Sequence, residues 1–149
     1  MMDEKFKIKG NYIVELYDAD GNLKDFRDTS NLVTTTGFDT IIQRGFHTLT
    51  GSNAFNFIAI GSGTAAAAAA NTTLGSEAAR AAGTYAHTDG QANLFISGAF
   101  AAGTATGSIT EVGLFNSGAT GALFSRTVFA VVNKGAADSL AITWVGSLS

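Results

Sequence analysis

The stretch Ser108-Ile-Thr-Glu-Val-Gly-Leu-Phe-Asn-Ser-Gly-Ala-Thr-Gly-Ala-Leu-Phe-Ser-Arg-Thr-Val-Phe129 decides the reading of this chain. Two apolar runs flank Ser117 to Gly121, a cluster of small turn-forming residues, and this pattern spells a β-hairpin. Ile109, Val112, Leu114 and Phe115 occupy both parities, so the first run reads as a mixed strand whose core face is supplied by Val112 and Leu114 or by their neighbours. Glu111 and Arg126 are the only charges in the segment, each inside an apolar run. A lone charge in such a strand is costly if it is buried without a partner.

Working outward, the same period of two recurs. Phe6, Ile8, Tyr12, Val14 and Leu16 fall on even positions, with Lys5, Lys7, Lys9 and Glu15 on odd ones. Asp18-Ala-Asp-Gly-Asn22 then supplies a turn, so a hairpin spans about residues 5–27. Toward the other end, Leu94, Ile96 and Phe100 share a parity, as do Leu140, Ile142, Trp144 and Leu148. One helix is expected near residues 37–46, where Thr36 and Asp39 resemble a capping box and Phe38, Ile41, Ile42 and Phe46 share a face that should pack against a sheet. After a strand at Phe55 to Ile60, residues 61–83 read as a long Ala/Gly-rich loop with at most a turn of helix. The expectation is a single mainly-β domain over 1–149: an antiparallel β-sandwich, jelly-roll or immunoglobulin-like, with one short α-helix.

Composition narrows the function classes. Of 149 residues, 14% are charged, against roughly 25% in an ordinary soluble domain, which points to a surface partly covered by partners. The net charge is −3 and basic residues cluster only at Lys5, Lys7 and Lys9, so no nucleic-acid partner is expected. Cysteine is absent, which excludes disulfides and thiolate metal sites. No apolar run reaches membrane-spanning length and the N-terminus lacks a secretory h-region, so no membrane partner and a cytoplasmic origin are expected.

The candidate sites are weak. Gly61-Ser-Gly-Thr-Ala-Ala66 has the G-x-G-x-x-A form of a dinucleotide turn, but an alanine run follows where a βαβ unit is required. Asp18, Asp20 and Asn22 open like a calcium loop, yet Leu23 and Thr29 stand where its glycine and bidentate glutamate belong. His47 and His87 have no ligand-like surroundings, and the acidic residues are dispersed. No catalytic, cofactor-binding or metal residues are therefore assigned, and the chain is not expected to be an enzyme. What remains is a set of loop-anchoring ion pairs drawn from Glu77, Arg80, Glu111 and Arg126. In a helical turn Glu77 and Arg80 would pair as a solvated couple; alternatively one of them meets Glu111 or Arg126 and ties the long loop to the sheet.

The segments Ile58-Ala-Ile-Gly-Ser-Gly-Thr64, Asn71-Thr-Thr-Leu-Gly-Ser-Glu-Ala-Ala-Arg-Ala-Ala82, Ser108 to Phe129 and Asp138-Ser-Leu-Ala-Ile-Thr-Trp-Val-Gly-Ser-Leu-Ser149 resemble a pattern found in small structural proteins of tailed bacteriophages. Ala65 to Ala70 is richer in alanine than that pattern, and the lack of proline departs from it. The resemblance covers the chain from about Ile58 onward. It implies a β-rich virion component without cofactors: foremost a capsid decoration (cement) protein that binds and stabilises the major capsid shell, with a homotrimer as the expected state. The alternative it implies is a tail fibre, baseplate or other tail-associated module. A carbohydrate-binding adhesin is a further reading, against which Trp144 lies in phase with core residues.

Overall fold

The structure, a computed structural model, describes residues 6–47 and 53–149. The first hairpin forms as its periodicity dictates. Strand β1, Ile8–Tyr17, buries Tyr12, Val14 and Leu16, and pairs with β2, Leu23–Ser30. In the turn between them the Asp18 carboxylate accepts the N–H groups of Asp20 and Asn22, and Gly21 adopts a φ of 82°. The carboxylate thus serves as the acceptor of an Asx turn.

A two-residue strand β3, Leu32–Val33, leads into helix α1, Thr35–Phe46. The cap is Thr34 rather than Thr36: its Oγ1 accepts from Gly37 N at 3.0 Å and donates to the Leu123 carbonyl at 2.6 Å. Fixing the cap two residues earlier ties the helix start to the sheet. The first turn is tightly packed, with Gly37 set so close to Phe124 that a Cβ would lie 2.5 Å from its carbonyl oxygen. Ile41 packs partly buried against the core as expected, but the apolar face is left bare at Ile42 and Phe46, 52% and 89% exposed.

The remaining strands are β4 (Phe57–Gly61), β5 (Glu77–Ala82), β6 (Thr84–His87), β7 (Asn93–Phe100), β8 (Gly107–Phe115), β9 (Leu123–Lys134) and β10 (Ser139–Leu148). They complete two five-stranded antiparallel sheets, β2-β1-β10-β7-β6 and β3-β9-β8-β4-β5. The sheets face one another across a core that includes Tyr12, Ile58, Ile60, Phe100, Val112, Leu114, Ile142 and Trp144. The long loop expected over 61–83 is shorter, because Glu77–Ala82 is a strand. Gly83 carries the chain from one sheet to the other; a Cβ there would sit 2.6 Å from the Ile96 side chain.

The hairpin of the Ser108 to Phe129 stretch is β8 and β9, and both of its faces are covered. Val112 and Leu114 point into the main core, whereas Phe115 and Leu123 form a second apolar cluster with Ala59, Leu74 and Phe57. The loop 62–76 lies over that second face, with Leu74 as its plug. Gly113 makes the room: a Cβ there would come 2.8 Å from Leu74 and 2.9 Å from Leu123. A strand covered on both faces has no polar parity, and this accounts for the mixed pattern of its sequence.

Candidate functional site

Glu111 sits beneath the loop at 0% exposure, at the centre of the buried polar cluster on this face. Its Oε1 accepts the backbone N–H of Gly63 at 2.9 Å and of Ser76 at 2.7 Å. Its Oε2 accepts Gly75 N at 2.8 Å and Arg126 Nε at 3.0 Å, with Arg126 Nη2 2.8 Å away. Both ends of the loop therefore converge on one carboxylate. Glycine is required at position 63, where a Cβ would lie 2.5 Å from Oε1.

The rest of the loop is tied to the same pair. Arg126 Nη1 donates to Asn71 Oδ1 at 3.1 Å, and that oxygen also accepts Ala68 N at 2.8 Å. Thr110 Oγ1 donates to the Gly63 carbonyl at 2.7 Å, and Thr35 N reaches the Ala69 carbonyl at 3.0 Å. Held at these points, Ala65 to Ala70 runs along the surface as turn and irregular backbone despite its helix propensity. Burial pushes the Glu111 carboxyl upward, but the three N–H groups and the Arg126 guanidinium outweigh it and hold the group below the ordinary carboxylate range.

Glu77 and Arg80 do not meet this pair, contrary to the expected cross-pairing. They bind each other within β5, with Arg80 Nη2 2.6 Å from Glu77 Oε1 and Arg80 Nε 3.1 Å from Oε2. A register shift where β5 meets β4 brings the two side chains together across three residues of strand. The Arg80 guanidinium then lies 3.7 Å over the Phe115 ring, and Nη1 donates to the Ser117 and Thr120 carbonyls at 2.9 and 2.6 Å. Arg80 anchors the β8–β9 turn instead of the loop. Arg80→Ala is accordingly expected to speed amide hydrogen exchange in residues 116–121 while leaving 63–76 unchanged, at a cost of about 1–2 kcal/mol for the lost charged hydrogen bonds. Faster exchange in the loop would reassign Arg80.

A further polar cluster escaped the sequence reading. Lys134, 2% exposed, donates through Nζ to the carbonyls of Asp138 at 2.7 Å and Ala101 at 3.0 Å. The Asp138 carboxylate binds Lys24 at 2.8 Å and accepts Gly135 N at 2.7 Å, closing the β9–β10 turn onto β2. Lys24 and the Gly135 amide hold the Asp138 carboxyl below its usual range, and burial lowers the pKa of Lys134 against the opposing pull of Asp138. A buried charge next to a turn glycine was the available signal, but Lys134 closes a strand whose pattern is otherwise mixed.

At the end of the sandwich beside α1, the core opens into a groove of about 510 Å³. Its floor includes Trp144 and Phe124, and its rim includes Phe6, Tyr85 and Leu148, which are 66%, 61% and 41% exposed. His47 ends α1, while His87 lies in β6 with Nδ1 2.7 Å from the Asn93 carbonyl. Among the described residues no group of three His, Asp or Glu side chains is placed to hold a metal ion, and no helix is long and apolar enough to cross a membrane. No family model, curated protein or solved structure matches the chain.

Proposed function

We propose that this chain is a structural subunit of a bacteriophage virion, a capsid decoration protein that seats on the major capsid shell and stabilises it. The observation that carries the reading is the apolar groove together with the bare half of α1. Phe6, Tyr85, Ile42 and Phe46 stand exposed at the groove and on the helix that borders it, and exposed apolar surface of this kind marks a protein contact. The sheets, the clamped loop and the tied turns supply a rigid platform for that surface. Glu111, Lys134 and Asp138 each hold backbone in place and Arg126 braces Glu111, which suits a subunit whose work is to keep its shape. Many copies on one shell multiply a modest contact into durable binding. The C-terminal resemblance to small structural proteins of tailed phages supports the same reading. Direct localisation on intact virions tests it: signal over the head is the expected outcome, and signal at the tail would transfer the chain to a tail module.

A further inference from the structure

We propose that the outer face of the β2-β1-β10-β7-β6 sheet is a self-association surface, through which two copies of this chain stack face to face about a two-fold axis. The inference concerns self-association and stands apart from the virion reading.

In β1, β7 and β10 the even positions face the core, so the odd ones point outward. The outward side chains of β10 and β7 include Ala141, Thr143, Val145, Phe95, Ser97 and Ala99, and neither strand carries a charge on this side. Val145 lies opposite Phe95 and one step diagonally from Ile13, which makes an apolar stripe across three strands. Beside it the Ser97 and Thr143 hydroxyls are 3.3 Å apart and satisfy each other. The β1-β10 and β10-β7 pairings run without a bulge, so the face is continuous. A sheet face with an apolar stripe and no charge at its centre marks a contact. At a spacing of about 4.8 Å between strands and a rise of about 3.3 Å per residue, the sheet presents roughly 600 Å² per copy, or roughly 1,200 Å² for a pair, which reaches the size of a specific interface.

Charge identifies the occupant as a second copy. Lys9 and Glu15 stand on β1 three residues to either side of Tyr12, with opposite sign. A two-fold axis lying across the strands at the level of Tyr12 lays β1 antiparallel over β1 of the other copy. Each Lys9 then meets the other copy's Glu15, and each Asp28, level with Ile13, meets the other copy's Ser30, level with Asn11. Opposite signs at equal distances from one axis are what contact between identical surfaces requires, and a different partner would set no such condition. Lys9 is exposed and forms no salt bridge among the described residues. Glu15 commits only Oε2, which accepts the Tyr17 hydroxyl at 2.7 Å. The product is a dimer in place of the expected trimer. It leaves the groove beside α1 open, because Leu94, Trp144 and Leu148 of the groove belong to the inward parity.

Sedimentation equilibrium over a concentration series tests the proposal. The wild type and the control Ala66→Lys, on the loop over the opposite sheet, are expected to dimerise. Val145→Glu places two carboxylates beside the axis and is expected to raise the dimer dissociation constant about tenfold or more. Its circular dichroism should match the wild type, since Val145 points outward. Lys9→Glu and Glu15→Lys each bring like charges together and should weaken the dimer, whereas the double variant K9E/E15K should restore it. A wild type that stays monomeric or forms a trimer, a dimer indifferent to V145E, or a double variant no tighter than its singles would each overturn the proposal.

Discussion

Glu111→Gln is expected to lower the thermal midpoint by about 10 °C and to open loop 62–76 to proteolysis. The substituted amide keeps one carbonyl oxygen for Gly63 and Ser76, but places an NH2 donor against the Gly75 amide and the Arg126 guanidinium. Arg126, with its side chain 3% exposed, then lies buried without a counter-charge. Removing one member of a buried pair costs roughly 3–5 kcal/mol, and a domain of this size loses roughly 2–4 °C per kcal/mol. The charge also makes the effect depend on pH. Because the folded pKa of Glu111 lies below the unfolded value of about 4.3, its contribution is complete above that value and is lost as pH falls through the folded one. The stability gap between wild type and E111Q should therefore be constant near neutrality and shrink in acid. Asp18 and Asp138, also held low, titrate alike in both proteins and cancel in the difference. Unchanged loop cleavage in E111Q would show that the loop is held by other contacts.

Trp144→Ala is expected to cost about 3–5 kcal/mol, as large aromatic truncations in cores do. The indole meets Phe124 edge-on at a centroid distance of 5.4 Å and is 4% exposed. Its Nε1 donates to Asn31 Oδ1 at 2.7 Å, so the substitution also strips a partner from a side-chain amide whose Nδ2 is already buried. Gly10 and Gly146 form the slot: a Cβ at Gly10 would lie 2.5 Å from Nε1, and one at Gly146 would strike the far edge of the six-membered ring. Urea unfolding followed by far-ultraviolet circular dichroism measures the loss. A change below about 1 kcal/mol would mean that the indole is a surface group rather than a keystone of the core, since exposed substitutions away from special features cost little.

The sandwich was legible because β1, β7 and β10 each keep one apolar parity that faces the core. The hairpin of β8 and β9 was legible from its turn, but its facing was not. Ile109 to Phe115 is buried on both sides, and the cover on the second side comes from a loop some forty residues earlier in the chain. β5 was hidden by local propensity, since Glu-Ala-Ala-Arg-Ala-Ala is a helix-forming string. Pairing along β4 overrides that preference. The site was half legible. A charge at 111 and another at 126 in apolar strands signalled that each needs a partner, expected in Glu77 or Arg80; instead the hairpin register sets Arg126 opposite Gly113, two residues from Glu111, and the two bind each other. What spacing could not reveal is that three of the carboxylate's partners are backbone amides, which carry no residue signature except the glycines at 63 and 75. Helix α1 misled in the other direction, because its apolar face predicted burial while Ile42 and Phe46 stand exposed.

The proposed decoration role seats this surface on a phage head. Antibody-gold labelling of intact virions from the phage that encodes the chain, or a density map of the same particles, addresses it directly. Label spread regularly over the shell is the result expected of a decoration protein. Label confined to the tail or its tip would contradict the decoration assignment in favour of a tail module, and particles without label would contradict the virion reading as a whole.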